Sequence, residues 1–70
     1  MIIRVDIWGG KNSCVHLARY HLADQPEAGA LVMREARDGF LVNVRVLGPG
    51  EGWGPAENFD KRGPLVMGRA

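Results

Sequence analysis

One cysteine, Cys14, stands in 70 residues, so no disulfide can form within the chain. That matters because a chain this short buries only about 60% of its unfolded surface and gains little from its core. Small scaffolds usually add a disulfide, a metal or a partner chain. A lone thiol, and a start (Met1-Ile2-Ile3-Arg4) without the long apolar segment of a secretion signal, predict a reducing, cytoplasmic setting. No apolar run approaches the roughly 20 residues of a membrane helix, so no membrane contact is expected. An excess of either charge is also missing. Nine basic residues face eight acidic ones, for a net charge of +1. Balanced charge argues against a dedicated nucleic-acid binder, which is normally basic on one face.

Catalytic and metal-binding patterns are missing too. No G-x-S-x-G, H-E-x-x-H or paired-carboxylate motif occurs, so no enzyme activity is expected. Cys14, His16 and His21 are the candidate metal ligands, but a closed zinc site needs four. On a helix Cys14 and His21 would share a face while His16 would point elsewhere. No metal or other cofactor is therefore expected. Gly9-Gly10-Lys11-Asn12-Ser13 has the Gly-Lys ending of a phosphate loop. It departs from that motif twice: Val5 stands at the earlier glycine, and Asn12 replaces the Ser or Thr that would hold magnesium.

What is present is a chain with globular hydrophobicity and strand-like alternation. Ile3, Val5 and Ile7 alternate with Arg4, Asp6 and Trp8, the pattern of a half-buried strand over Ile2 to Trp8. Gly9-Gly10 ends it. Cys14, Leu17, Ala18, His21 and Leu22 follow helical spacing, predicting a helix from about Ser13 to Ala23, capped by Asn12 or Ser13. In that helix Cys14 is a small buried hydrophobe and Tyr20 lies toward the outside. Pro26 to Gly29 reads as a linker. Ala30 to Ala36 and Phe40 to Leu47 read as a hairpin around Arg37-Asp38-Gly39, since Asp-Gly favours tight turns. Phe40, Val42, Val44 and Val46 form an apolar face directed at the core. Asn43 and Arg45 lie on a mixed face, open to water or to a binding partner. Neither face of the Ala30 to Ala36 run is purely apolar.

Four glycines and two prolines fall between Gly48 and Pro55, and the whole connection extends over 48–64. Loops of that length in compact domains are usually functional or disordered. One helical turn is expected over Pro55 to Asp60, a short edge strand at Leu65-Val66-Met67, and fraying over 68–70. Together these elements predict one α+β domain over 1–70, of β-α-β-β order. Its helix packs on a three- to four-stranded sheet, and its C-terminal part is irregular and rich in Gly and Pro.

These features predict a small non-enzymatic binding protein that docks on another protein or complex. A phage- or mobile-element-type inhibitor acting by steric blockade has this character. The expected docking residues are Trp53, Glu51, Phe59, Lys61 and Arg62, because Trp and Arg favour binding hot spots. Two rivals remain. A nucleic-acid module would use Arg34, Arg45, Lys61 and Arg62 beside aromatic rings. A thiol enzyme or redox protein would be built on Cys14. Self-association is compatible with all three and would relieve the thin core.

Overall fold

The computed structural model describes residues 1–49 and 58–63. In chain order these form β1 (Ile2–Gly9), a 3-10 turn (Lys11–Ser13), β2 (Val15–Leu22), α1 (Gln25–Arg37), β3 (Leu41–Leu47) and β4 (Phe59–Asp60). The strands make one antiparallel sheet in the order β3-β1-β2-β4. The protein is thus α+β, with one helix and one four-stranded sheet among the described residues. The expected strand at 65–67 and the frayed end at 68–70 lie outside them, as do residues 50–57 and 64 of the loop over 48–64, and with them the first half of the turn over 55–60. The last two residues of that turn are β4.

The place of the helix differs from expectation. Residues 13–23 hold a strand, not a helix. The eight-residue segment Val15 to Leu22 satisfies both periods, since Ala18, Tyr20 and Leu22 also alternate with Arg19 and His21. Local backbone decides between them: Asn12 and Ser13 adopt positive φ of 64° and 53°. Two successive left-handed residues reverse the chain, and Ser13 N–H donates to Gly10 O at 3.1 Å. The β1–β2 hairpin follows, and Tyr20 turns inward to the core while Cys14 stays exposed.

Residues 25–37 hold the helix, where a linker and a strand were expected. Ala, Leu, Met, Glu and Arg dominate this segment, and all are strong helix formers. Pro26 sits in the first turn, where its missing N–H costs nothing. Ala28, Leu31, Val32 and Glu35 are the residues that α1 turns inward, the spacing i, i+3, i+4, i+7 of one helix face. Glu35, an acid on that face, hides the stripe from a hydrophobicity reading. Asp38-Gly39 does reverse the chain, but as a helix cap. Gly39 takes φ 94°; its N–H donates to Ala36 O (3.0 Å), and Phe40 N–H donates to Glu35 O (3.1 Å). This pair of bonds is the Schellman motif.

The observed order is β-β-α-β, followed by β4. Both β2 and β3 run antiparallel to β1, so α1 joins two strands that are parallel to each other with β1 between them. The parallel pairing between the first strand and the strand after the helix, which the expected order allowed, does not occur. The core lies between α1 and one sheet face. It comprises Ile3, Val5, Ile7, Ala18, Tyr20, Leu22 and Ala28, with Leu31, Val32, Phe40 and Val42 against it. Gly9 belongs to this face because a Cβ there would meet Leu17 Cδ1 at 2.6 Å and Phe40 Cδ1 at 3.1 Å.

The apolar face of β3 is only half covered. Phe40 and Val42 pack on the core, but Val44 and Val46 are 52% and 57% exposed. The topology explains it. The helix starts just after Leu22, whose row on the sheet contains Ile3 and Val46, and ends just before Phe40, at the opposite row. It therefore crosses diagonally from β2 to β3 and leaves the far end of β3 open.

Candidate interaction surface

The sheet face opposite α1 is built around Asp6. Alternation places Arg4, Asp6 and Trp8 of β1 there, with Arg45, Asn43 and Leu41 of β3 directly across from them. On β2 the register shifts between Ile7 and Trp8: Ile7 pairs with Ala18, but Trp8 pairs with His16. Leu17 is the extra residue. This bulge rotates His16 onto the face of Trp8 and Arg19.

Asp6 is only 7% exposed. Its Oδ1 accepts from Arg19 Nε at 2.7 Å and from His16 Nε2 at 2.8 Å, and Arg4 Nε lies 3.1 Å from Oδ2. Burial by itself would push the Asp6 carboxyl up. The Arg19 and His16 hydrogen bonds, with the charges of Arg19 and Arg4, more than reverse this and hold it below the ordinary aspartate value. A carboxylate can only accept, so His16 carries a proton on Nε2. The imidazole is thereby oriented against Trp8, with ring centroids 4.5 Å apart and planes at 22°. Phe59 of β4 meets the same imidazole edge-on, 5.1 Å away at 84°. Lys61 Nζ lies 5.9 Å from the Phe59 ring centre. Trp8, His16, Phe59 and Lys61 thus form a continuous array across three strands.

A second network fastens the C-terminal turn to the helix side. Arg62 donates from Nη1 to Glu35 Oε1 at 2.6 Å, and from Nη2 to Glu35 Oε2 at 3.3 Å and Asp60 Oδ2 at 2.8 Å. Its Nε and backbone N–H both donate to Asp60 Oδ1 at 2.9 Å. Tyr20 O–H donates to Asp60 Oδ2 at 2.7 Å. Glu35 is only 3% exposed, yet its carboxyl is held below its usual range. Burial opposes this, and hydrogen bonds from Arg62 and Arg34 outweigh it. The Asp60 carboxyl is lowered for the same kind of reason, against burial, by Arg62 and Tyr20. Burial and the Asp60 carboxylate push the Tyr20 hydroxyl up to about 12. Lys61 N–H to Leu17 O (2.8 Å) and His21 N–H to Asn58 Oδ1 (2.8 Å) complete the attachment.

Of the expected docking set, Trp53 and Glu51 lie outside the described residues. Phe59 and Lys61 are adjacent on the face opposite α1. Arg62 is directed the other way, clamped between Glu35 and Asp60 with its guanidinium carbon 4.9 Å from the Phe40 ring centre. The four expected nucleic-acid contacts do not converge. Arg34 Nη2 bonds Glu35 at 3.1 Å on the helix side, near Arg62; Arg45 lies opposite Arg4 on the other sheet face; Lys61 stands by Phe59. Cys14 is exposed in the β1–β2 connection, its Sγ 3.4 Å from Asn12 O. Among the described residues no three His, Cys, Asp or Glu side chains gather as a metal site, and no helix is long and apolar enough to cross a membrane. Asp6 and Arg19 were not singled out by sequence, and His16 was singled out only as a candidate metal ligand. The alternation of Arg4, Asp6 and Trp8 marked their face, but only the bulge brings His16 to it.

No protein-family model matches the chain, and no curated protein or solved structure is significantly similar to it.

Proposed function

We propose that this chain is a small cytoplasmic binding protein that docks on another protein through the sheet face opposite α1, acting by occupancy and not by turnover. The observation that carries this reading is the Trp8–His16–Phe59 array, held in place by a buried carboxylate. Rings fixed before the partner arrives lose little freedom on binding. Arg4, Arg19 and Lys61 surround the array, with Asp6 between the first two. A partner that fits therefore presents carboxylates around an apolar patch.

Single-stranded nucleic acid is the rival occupant, since it also seeks aromatics and cations. Base stacking, however, needs open ring faces. One face of Trp8 is taken by His16, and Lys61 lies over Phe59.

The test is a pull-down with tagged protein from native host lysate, with and without nuclease, repeated with Lys61→Glu and with Phe59→Ala. The expected result is a stoichiometric protein that survives nuclease and is lost with both variants. Loss of every partner after nuclease would transfer the reading to nucleic acid. A partner indifferent to both substitutions would refute the proposed face.

A further inference from the structure

A second surface lies at the β3 end of the sheet. Among the described residues no strand pairs with β3 on the side away from β1. Natural edge strands are usually blunted by brevity, proline, lysine or a bulge. The opposite edge, β4, follows this rule with two residues. β3 does not: it has seven residues, Leu41-Val42-Asn43-Val44-Arg45-Val46-Leu47, in unbroken register with β1. Val44 and Val46 are more than half exposed on the helix side, and Met33 of the neighbouring helix is 74% exposed. On the helical wheel Met33 and Ala36 lie on one flank of α1, opposite the flank of Glu27 and Arg34. Arg34 reaches the Glu35–Arg62 network, which belongs to the β2–β4 side. Met33 and Ala36 therefore lie on the flank of α1 turned away from that network.

We infer that β3 is the interface of a two-fold homodimer, in which it pairs antiparallel with β3 of a second copy to make an eight-stranded sheet. A two-fold axis perpendicular to the sheet keeps both helices on one side, so paired residues must have numbers that sum to an even value. Centring the axis on Val44 pairs all seven residues. Val44 then faces the partner's Val44, Val42 faces the partner's Val46, Leu41 faces the partner's Leu47, and Asn43 faces the partner's Arg45. Every pair matches in kind on its own face of the sheet. A slip by one step in either direction loses this. Centred on Asn43, the pairing sets Leu41 against the partner's Arg45. Centred on Arg45, it sets two guanidinium groups directly opposite each other, which is destabilising. The pattern of the strand thus specifies a single self-complementary register. The same axis brings the two helix flanks carrying Met33 together over the valine strip, covering what the diagonal crossing of α1 leaves open. The surface lies apart from the Trp8–His16–Phe59 array, so a dimer presents that array twice.

The test is sedimentation equilibrium of the full chain from micromolar to millimolar concentration. Wild-type protein should approach twice the mass of one chain. Val44→Lys places two ammonium groups across the axis and should raise the dissociation constant about tenfold or more, with an unchanged circular dichroism spectrum. The register is checked in a Cys14→Ser background. Val44→Cys should give one covalent dimer with a short bis-maleimide, whereas Val46→Cys should not. The latter pair stands four residues apart along the strands, about 13 Å. A monomer at every concentration, or equal cross-linking at both positions, would overturn the dimer. So would a Val44→Lys protein that associates as wild type does. Should Val44→Lys fail to fold, the cross-linking pair decides the question. A monomeric wild type that still captures a protein dependent on Lys61 would leave the docking face standing while the dimer falls.

Discussion

Replacing Asp6 with Asn tests whether charge or shape holds the sheet face opposite α1 together. The substitution keeps the volume and removes the negative charge that three neighbours share. Arg19 Nε and His16 Nε2 lose a charged acceptor at 2.7 and 2.8 Å, and Arg4 loses its ion pair at 3.1 Å. A hydrogen bond to a charged group exceeds a neutral one by about 1 kcal/mol. The amide N–H₂ would also face a guanidinium donor. Water still reaches the partners, whose side chains are 22–31% exposed, and screens part of the loss. The result is a cost of about 2–3 kcal/mol, a large share of the roughly 4–10 kcal/mol expected for 70 residues. It corresponds to a fall in Tm of about 10–20 °C.

The acid limb identifies the cause. The Asp6 carboxyl is lowered in the fold, so its contribution is complete above the unfolded value of about 3.9. It disappears as pH falls through the lower folded value. Glu35 and Asp60 are lowered as well, but both proteins share those groups, and the difference between them isolates Asp6. Urea unfolding at pH 7 should show the gap of about 2–3 kcal/mol, and the gap should shrink progressively as pH falls below about 3.9. A gap that persists undiminished at low pH would refute the electrostatic account, because steric misfit does not titrate. A gap under about 0.5 kcal/mol at pH 7 would show that Asp6 organises nothing.

Four other perturbations follow from the geometry. Tyr20 is the sole tyrosine, so absorbance near 295 nm reads it alone: its midpoint should lie near 12 in the fold and near 10 in denaturant. Its contribution is whole below about pH 10 and is lost as pH rises through the folded value, and a native midpoint near 10 would sever the Tyr20–Asp60 bond. Glu35→Gln leaves Arg62 with Asp60 alone and should cost about 1–3 kcal/mol by urea unfolding; a neutral effect would mean that Arg62 is held by Asp60 only. Gly9→Ala should cost about 1–3 kcal/mol, since the new Cβ would meet Leu17 at 2.6 Å. Gly29→Ala meets nothing within 4 Å and should stabilise by about 0.5–1 kcal/mol in thermal melts; reversed signs would refute the packing assigned to both.

Sequence by itself determined β1, the alternating valines of β3, and the presence of one helix on a small antiparallel sheet. These rest on period-2 patterning and on local β-propensity, which act within a few residues. Sequence also marked Asp38-Gly39 as a reversal, because only glycine readily takes φ 94°. It did not reveal that the reversal caps a helix, since the inward stripe of α1 includes Glu35. An acid can occupy that place only because Arg62, 27 residues away in the chain, meets it. Val15 to Leu22 satisfied two periods at once, and the left-handed pair Asn12 and Ser13 decided for a strand. The array on the other sheet face was equally non-local. His16 reaches Trp8 through a one-residue shift in strand register, and Phe59 arrives from a strand 43 positions later in the chain. Local pattern settles which elements want to form. Only tertiary structure decides which charges can be buried, because the desolvation of Asp6 and Glu35 is offset by arginines that the fold alone brings within reach.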